Sequence, residues 1–334
     1  MPPTAPAPET ALDRAEELAE SILPTRPPKR RMLVIVNPYA STVSDRLKNL
    51  VVYALQGRYE VDAIDTQAKA HATELCREAA DEGYDVVVAF GGDGTVNEAA
   101  NGLAGSDTPL SALPGGSTNV FCRSLGIPND VVDATEHLLG MADRFEPSRV
   151  DLGVANDRFF TFAAGVGLDA SVVEQVDRHP AMKARLSEWY FTGTALTTFA
   201  QKYLIRAPRV TVEAGGHEIE GVTVIVQNSD PYTYFSSHPI RVCIGAGNRT
   251  GTLSAAVLKR ATPFEVPTII ARIFAGGPDS VSKHAQVEPL TDLRELRIVS
   301  KDGRRFPLQL DGDHVGDVTE VELGVRHLAL PVVS

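Results

Sequence analysis

The run Val86-Val87-Val88-Ala89-Phe90, followed at once by Gly91-Gly92-Asp93-Gly94-Thr95-Val96-Asn97-Glu98, leaves this chain few choices of fold. A short, unbroken apolar run fits a strand buried on both faces of a parallel sheet. The glycines tolerate positive φ and let backbone approach a ligand closely. From Thr95 onward, Val96, Ala99, Ala100 and Leu103 fall on one helical face. Strand, glycine turn and helix together aim free backbone N–H groups and the positive end of a helix at one point, an arrangement suited to phosphate. Asp93 stands at that point. A carboxylate beside polyphosphate is repelled unless a cation bridges them, so Asp93 reads as a Mg²⁺ handle. Taken without its surroundings, the same stretch also reads as a tight strand-to-helix turn capped by an aspartate.

The surroundings repeat the pattern. Strands are expected at residues 32–36, 59–64, 86–90 and 110–113, and helices at 43–55, 71–82, 95–103, 118–125 and 130–141. Such alternation implies βαβ units and a doubly wound parallel sheet, with ligands bound outside the carboxyl ends of the strands. Loops of ligand-binding character follow three of these strands: Asn37-Pro38-Tyr39-Ala40-Ser41, the Gly91–Thr95 turn, and Pro114-Gly115-Gly116-Ser117-Thr118-Asn119.

After residue 150 the texture changes to short β-rich runs at 159–162, 210–213, 222–227, 240–244, 253–258, 293–300 and 306–310, with glycine turns between them. This predicts a mostly antiparallel β-sandwich or flattened barrel, interrupted by a helical insertion near 180–205. The organisation expected is a proline-rich tail (1–30), an α/β nucleotide-binding domain (31–150), a β-sandwich domain (151–325), and a strand at 326–333 that rejoins the first domain.

Composition narrows the function classes. A chain of 334 residues with a formal charge of −11 is a poor candidate for wrapping nucleic acid. Its 43% hydrophobic and 22% charged residues describe a globular protein. No apolar run approaches the roughly 18 residues of a spanning helix, and the first residues do not read as a signal peptide. Cys76, Cys122 and Cys243 are scattered without metal or disulfide spacing, which fits buried thiols in a reducing cytoplasm.

Together these residues resemble the diacylglycerol kinase catalytic family, which includes bacterial lipid kinases and sphingosine kinases. The resemblance rests on Gly91-Gly92-Asp93-Gly94-Thr95 with Asn97-Glu98, on Asn37-Pro38, and on Leu113-Pro114-Gly115-Gly116-Ser117-Thr118-Asn119. It extends to Asp151-Leu152-Gly153, to Phe160 through Gly167, and to Leu310-Asp311-Gly312-Asp313. It implies a nucleotide cleft between the two domains and transfer of the ATP γ-phosphoryl group, with Mg²⁺, to a lipid hydroxyl, most readily that of diacylglycerol. Another lipid, NAD, or nucleotide sensing without turnover are the other readings. By resemblance, ATP is held by Asn37, Pro38, Tyr39, Ala40, Ser41, Thr66, Gly91 through Glu98, Gly116 and Ser117, and Mg²⁺ by Asp93.

Asp313 stands where related kinases have a glutamate that acts as base, and is one methylene shorter. Asp151 matches a second active-site carboxylate, and Asp169 a residue that reads the lipid head. Thr250-Gly251-Thr252-Leu253 lacks the aspartate through which bacterial relatives hold a structural Mg²⁺. The aromatic and basic residues between 183 and 206 suit either a membrane interface or a helix pair covering the β domain. The expected setting is the cytoplasm at the inner face of the membrane, with the lipid substrate as partner and no nucleic acid. Relatives often form homodimers, though no stretch here marks the surface that would do it.

Overall fold

The computed structural model describes residues 29–167, 208–235, 237–262, 264–277 and 279–334. Residues 1–28 of the expected tail, the helical insertion and Asp169 lie outside the described residues, and the first strand begins at Arg30, inside the span expected as tail. β1 (Arg30–Val36) pairs in parallel with β2 (Tyr59–Asp65) on one side and β3 (Val86–Gly91) on the other, and β4 (Leu110–Pro114) pairs in parallel with β3. Every residue of β3 and β4 is buried, which is what their unbroken apolar runs require. α1 (Asp45–Leu55) carries the chain from β1 outward to β2, and α2 (His71–Asp81) carries it back past β1 to β3. The winding direction therefore reverses between β1 and β3, and their carboxyl ends open onto the crevice where such sheets bind ligands.

α3 (Asp93–Leu103) follows β3, while α4 (Val120–Ser124) and α5 (Val131–Met141) follow β4. α3 begins at Asp93, two residues before the helix expected from Thr95. A carboxylate in a first helical turn is favoured by the helix dipole. Local caps fix the other starts: Ser44 accepts from the Leu47 N–H, and Asp130 from the N–H groups of Val132 and Asp133.

The rest of the chain builds β5 (Ser148–Ala155), β6 (Arg158–Phe160), β7 (Ala163–Val166), β8 (Val210–Ala214), β9 (His217–Gly221), β10 (Thr223–Gln227), β11 (Thr233–Phe235) and β12 (His238–Ile240). It continues with β13 (Leu253–Leu258), α6 (Glu265–Ala275), β14 (Val287–Leu293), β15 (Glu295–Ser300), β16 (Phe306–Leu310), β17 (Asp313–Val318) and β18 (Glu320–Val332). One sheet runs β2-β1-β3-β4-β18-β15-β8-β9, with β5 and β6 alongside β18, and a second runs β14-β13-β10-β7-β16-β17. Val210, Val212 and Ile298 of the first sheet share a core with Val224, Val226, Val257 and Leu308 of the second. The fold class is thus α/β joined to an antiparallel sandwich.

β18 serves both halves. Its Val321 and Leu323 lie in the sandwich core, while Leu330 and Val332 lie in the core of the α/β half. Its register shifts between Arg326 and Leu330, where Leu328 takes a φ of 49°. Val332 pairs in parallel with Leu110 of β4.

Several elements depart from the sequence expectation. β9, β14 and β17, unforeseen, are edge strands carrying charges, glycine or proline, such as Val287-Glu288-Pro289 in β14, so they lack the apolar signature of a central strand. The strand expected at 240–244 retains only Ile240. The Cys243 N–H donates to the Gln227 side chain at 2.9 Å instead of to a ladder. β5, β11, β12 and α6 were also not foreseen; Pro267 sits in the first turn of α6, where a missing N–H costs nothing.

Candidate active site

The three suspected loops converge. The Asn37 N–H donates to the Phe90 carbonyl at 2.9 Å, Thr42 N–H to the Gly115 carbonyl at 3.2 Å, and Gly115 N–H to the Gly91 carbonyl at 2.8 Å. The two glycine turns touch backbone to backbone: a Cβ on Gly115 would lie 2.8 Å from the Gly91 Cα, and one on Gly116 would lie 2.9 Å from the Gly92 Cα. Only glycine allows this approach. Asn119, at a left-handed φ of 46°, locks the second turn by accepting from the Gly116 N–H (2.9 Å) and donating to the Gly116 carbonyl (2.8 Å). Asn37 locks the first, accepting from the Tyr39 N–H at 3.0 Å and donating to the Thr95 hydroxyl at 3.1 Å.

These loops enclose a cavity of about 720 Å³, within the usual size range of small-molecule sites. Asn37, Tyr39, Ala40 and Ser41 line it from the first loop, and Thr66 from the end of β2. Gly92, Gly94, Thr95 and Glu98 line it from α3 and its turn, Gly116 and Ser117 from the second glycine loop. Asp313 closes it from the sandwich. Its carboxylate oxygen sits 2.7 Å from where a Cβ on Gly94 would stand, so β17 delivers this side chain onto the first turn of α3. Gln67, Ala68, Lys69 and His314 also line the cavity and escaped the sequence reading. Their only signal was adjacency, since three of them continue the loop from Thr66 and His314 follows Asp313.

The delivery of Asp313 is built by its neighbour Asp311. The chain turns from β16 to β17 through Asp311 and Gly312, at φ of 50° and 81°, a two-residue hairpin turn that needs left-handed backbone at both positions. The buried Asp311 carboxylate accepts from Asn97 Nδ2 (2.8 Å), the Thr161 N–H (2.6 Å) and the Thr161 hydroxyl (2.8 Å) on one oxygen. On the other it accepts from the N–H groups of Phe162 (2.9 Å) and Ala163 (3.1 Å). Burial pushes its pKa upward, and these donors pull it back. α3 is thereby pinned to the sandwich through Asn97 and meets Asp313 through Gly94. In the sequence Asp311 stands out only as part of the Leu310-Asp311-Gly312-Asp313 resemblance.

Some expected site residues face elsewhere. Val96 is core, Asn97 is committed to Asp311 and to the Phe159 carbonyl (3.0 Å), and neither they nor Pro38 and Gly91 line the cavity. Glu98 reaches it, but its carboxylate caps α2, accepting from the N–H groups of Ala70 (2.8 Å) and Ala72 (3.3 Å). Asp93 turns toward α4, accepting from the Phe121 N–H at 3.1 Å and the Thr118 hydroxyl at 3.0 Å. Burial against α4 pushes its pKa up to about 6; the backbone donors of Val120 and Phe121 and the Thr118 hydroxyl oppose this, and the Asp311 charge adds to it.

Asp151 is not brought to the cavity. Its buried carboxylate takes the Gly251 N–H (2.7 Å), the Leu328 N–H (2.8 Å) and His327 Nδ1 (2.7 Å), tying β5 to the 250–253 turn and to the irregular part of β18. It is the junction brace that its position between the two cores demands.

Similarity to known proteins follows the same outline. Residues 31–151 match the diacylglycerol kinase catalytic domain. A diacylglycerol kinase of Bacillus subtilis (strain 168) is 34% identical over 295 residues, which span 86% of this chain and 91% of that protein. The chain belongs to the diacylglycerol kinase family. A diacylglycerol kinase of Staphylococcus aureus (strain Newman) is likewise 34% identical, over 142 residues that span 41% of this chain and 44% of that protein. A solved diacylglycerol kinase of Bacillus anthracis superposes with a TM-score of 0.63 at 21% identity, over 91% of this chain and 96% of that one. At that identity the likeness speaks to the fold, which it shares across both halves.

Family membership carries the coarse activity, that of a lipid kinase, and the cavity's chemistry accords with it. Among the described residues no three His, Cys, Asp or Glu side chains converge on a metal position. Mg²⁺ does not need such a cage, since it keeps several waters and takes one or two carboxylates together with phosphate oxygens. Asp313, which lines the cavity at the first turn of α3, is a carboxylate that fits this mode; Asp93, at the same turn, does not line the cavity, and both its oxygens are engaged, by Thr118 and Phe121. Among the described residues no helix is long and apolar enough to cross a membrane.

Proposed function

We propose that this chain transfers the γ-phosphoryl group of ATP to a lipid hydroxyl at a membrane surface, with diacylglycerol as acceptor and phosphatidic acid as product. Phosphoryl transfer asks a protein mainly for positioning and charge neutralisation. The packed glycine turns supply closely spaced backbone N–H groups, and the N-terminal end of α3 adds its dipole. Mg²⁺, entering with the nucleotide, would neutralise charge that builds on the phosphate oxygens. The acceptor hydroxyl must also lose a proton, and Asp313 is the residue assigned to take it.

The observation that carries this reading is the position of the Asp313 carboxylate over Gly94, inside the cavity the nucleotide loops form. A carboxylate that approaches the phosphate-binding turn from the opposite half of the fold is placed to accept a proton from a hydroxyl lying between them. The hairpin turn at Asp311 and Gly312 fixes the backbone from which this side chain, one methylene shorter than a glutamate, reaches the turn.

The test is transfer of labelled phosphate from ATP in mixed micelles containing diacylglycerol, monoacylglycerol, ceramide, sphingosine or phosphatidylinositol, with NAD alongside. Label in phosphatidic acid, lost by a factor of about 10² or more in Asp313→Asn, is the expected result. Label in another acceptor alone would replace the substrate. Absence of label with ATP binding intact would replace the kinase with a nucleotide sensor.

A further inference from the structure

A nucleoside triphosphate brings several negative charges into a cavity that already contains the carboxylates of Glu98 and Asp313. Backbone N–H groups offset part of that charge. Positive side chains usually offset more. Among the described residues lining this cavity, one lysine and no arginine are found, and the lysine is Lys69.

Lys69 lies in the connection between β2 and α2, and both ends of that connection are anchored. The Thr66 N–H donates to the Val36 carbonyl at 2.8 Å, holding the loop's start to β1. The Ala70 N–H donates to Glu98 at 2.8 Å, holding its end to α3. Ala70 adopts a φ of 69°, an unfavourable left-handed conformation for a residue with a Cβ, so the Glu98 contact offsets a local cost. The Thr73 hydroxyl donates to the Glu98 carbonyl at 2.9 Å and secures the same junction. The backbone beneath Lys69 is therefore fixed beside the glycine turns.

The lysine side chain, by contrast, is uncommitted: it is exposed and makes no hydrogen bond or ion pair among the described residues. Lys48 of α1 is different, since its ammonium is held by Asp65 at 2.8 Å. The oxygens of Glu98 are engaged by α2. We infer that Lys69 is the cation that grips the nucleotide's polyphosphate, and that it sets the preference of the site for triphosphates over nucleosides and monophosphates. This rests on the ATP-dependent reaction proposed above and adds a residue and a selectivity to it.

The test is calorimetric binding of adenosine, AMP, ADP and ATP, each with Mg²⁺, to the full chain and to Lys69→Gln and Lys69→Arg. Lys69→Gln is expected to weaken ATP binding about tenfold, the loss of one charge-assisted contact. The effect should shrink from ATP to ADP to AMP and vanish for adenosine, and Lys69→Arg should restore most of it. In steady state, KM for ATP should rise while KM for the lipid stays unchanged. Equal ATP affinity in Lys69→Gln and wild type would overturn the inference and leave the kinase reading standing. A loss equal for adenosine and ATP, or a lower ligand-free melting temperature in Lys69→Gln, would also overturn it, by showing a structural role. No ATP binding by the wild-type chain would overturn both.

Discussion

Gly94 offers the sharpest perturbation of the site, because two effects of a single methyl group oppose each other there. Gly94 is the second residue of α3, so alanine should raise helix propensity and add at most about 1 kcal/mol of stability. The added Cβ would stand 2.7 Å from one Asp313 oxygen and 3.5 Å from its Cγ. Ordinary contact of a Cβ begins at about 3.4 Å, so the carboxylate must retreat by roughly 0.7 Å. The obstacle is the far end of a side chain, which can rotate away, so the fold survives. Misplacing a reacting group by about 1 Å costs on the order of 10²-fold in rate, and about 0.7 Å costs on the order of ten- to thirtyfold. Gly94→Ala should therefore show an unchanged or raised melting temperature, ATP affinity within about threefold of wild type, and kcat lower by about ten- to thirtyfold. Steady-state kinetics with diacylglycerol micelles, beside calorimetric melting, measure all three. Unchanged kcat with unchanged melting would refute the placement of Asp313 as the proton acceptor over this turn. A large loss of stability would refute the steric argument, since the neighbour would then be unable to yield.

Other expectations follow from the same geometry. Gly116→Ala drives a Cβ against the Gly92 backbone, which cannot rotate away, so it should destabilise by about 1–3 kcal/mol in urea titration and abolish ATP binding. Asp311→Ala strands buried donors on Asn97, Thr161, Phe162 and Ala163, and its loss in the same titration should reach about 3 kcal/mol or more. Asp93 has a folded pKa near 6, above its ordinary value, so its ionisation opposes folding: without nucleotide and Mg²⁺, stability should be fullest below about pH 4 from this group and fall as pH rises through about 6. Asp93→Asn should flatten that part of the melting-temperature profile, while an unaltered slope would show that another group titrates there. Val332→Asp places a charge in the α/β core beside β4, and both halves should then melt together at lower temperature, read by near-ultraviolet circular dichroism.

The α/β half was largely readable in the sequence because its central strands and helices carry strong periodic signals. Val86 to Phe90 could hardly be anything but a doubly buried strand, and two of the three loops betrayed themselves by glycines at strand ends, the first by its Asn-Pro turn and polar groups. The edge strands were not readable, because β14 and β17 are selected for charge and irregularity that discourage pairing with other chains. Individual roles were harder still. Asp93 reads as a site carboxylate from its place in the glycine turn and Asp151 from the family resemblance, yet one faces α4 and the other braces the 250–253 turn, because neither position in a motif nor resemblance tells where a side chain points. Asp311 illustrates the converse: noticed only within the Leu310–Asp313 resemblance, it becomes the node between α3 and the sandwich only when donors distant in sequence, Asn97 and Thr161, are folded around it. Lys69 carried no motif at all, and only the curvature of the loop beyond Thr66 brings it to the cavity.

β18 has a consequence for how the chain is made. The open edge of β4 and the neighbouring edge of β5 are sealed by a strand synthesised roughly 220 residues after Leu110. At about 5–20 residues per second, a ribosome leaves those edges bare for on the order of ten to forty seconds. Through that interval the α/β half lacks Leu330 and Val332 from its core. The nascent α/β half is therefore the stage at which chaperone capture or mispairing of this chain is to be sought, and substitutions in β18 should be felt as poor yield before they are felt as slow catalysis.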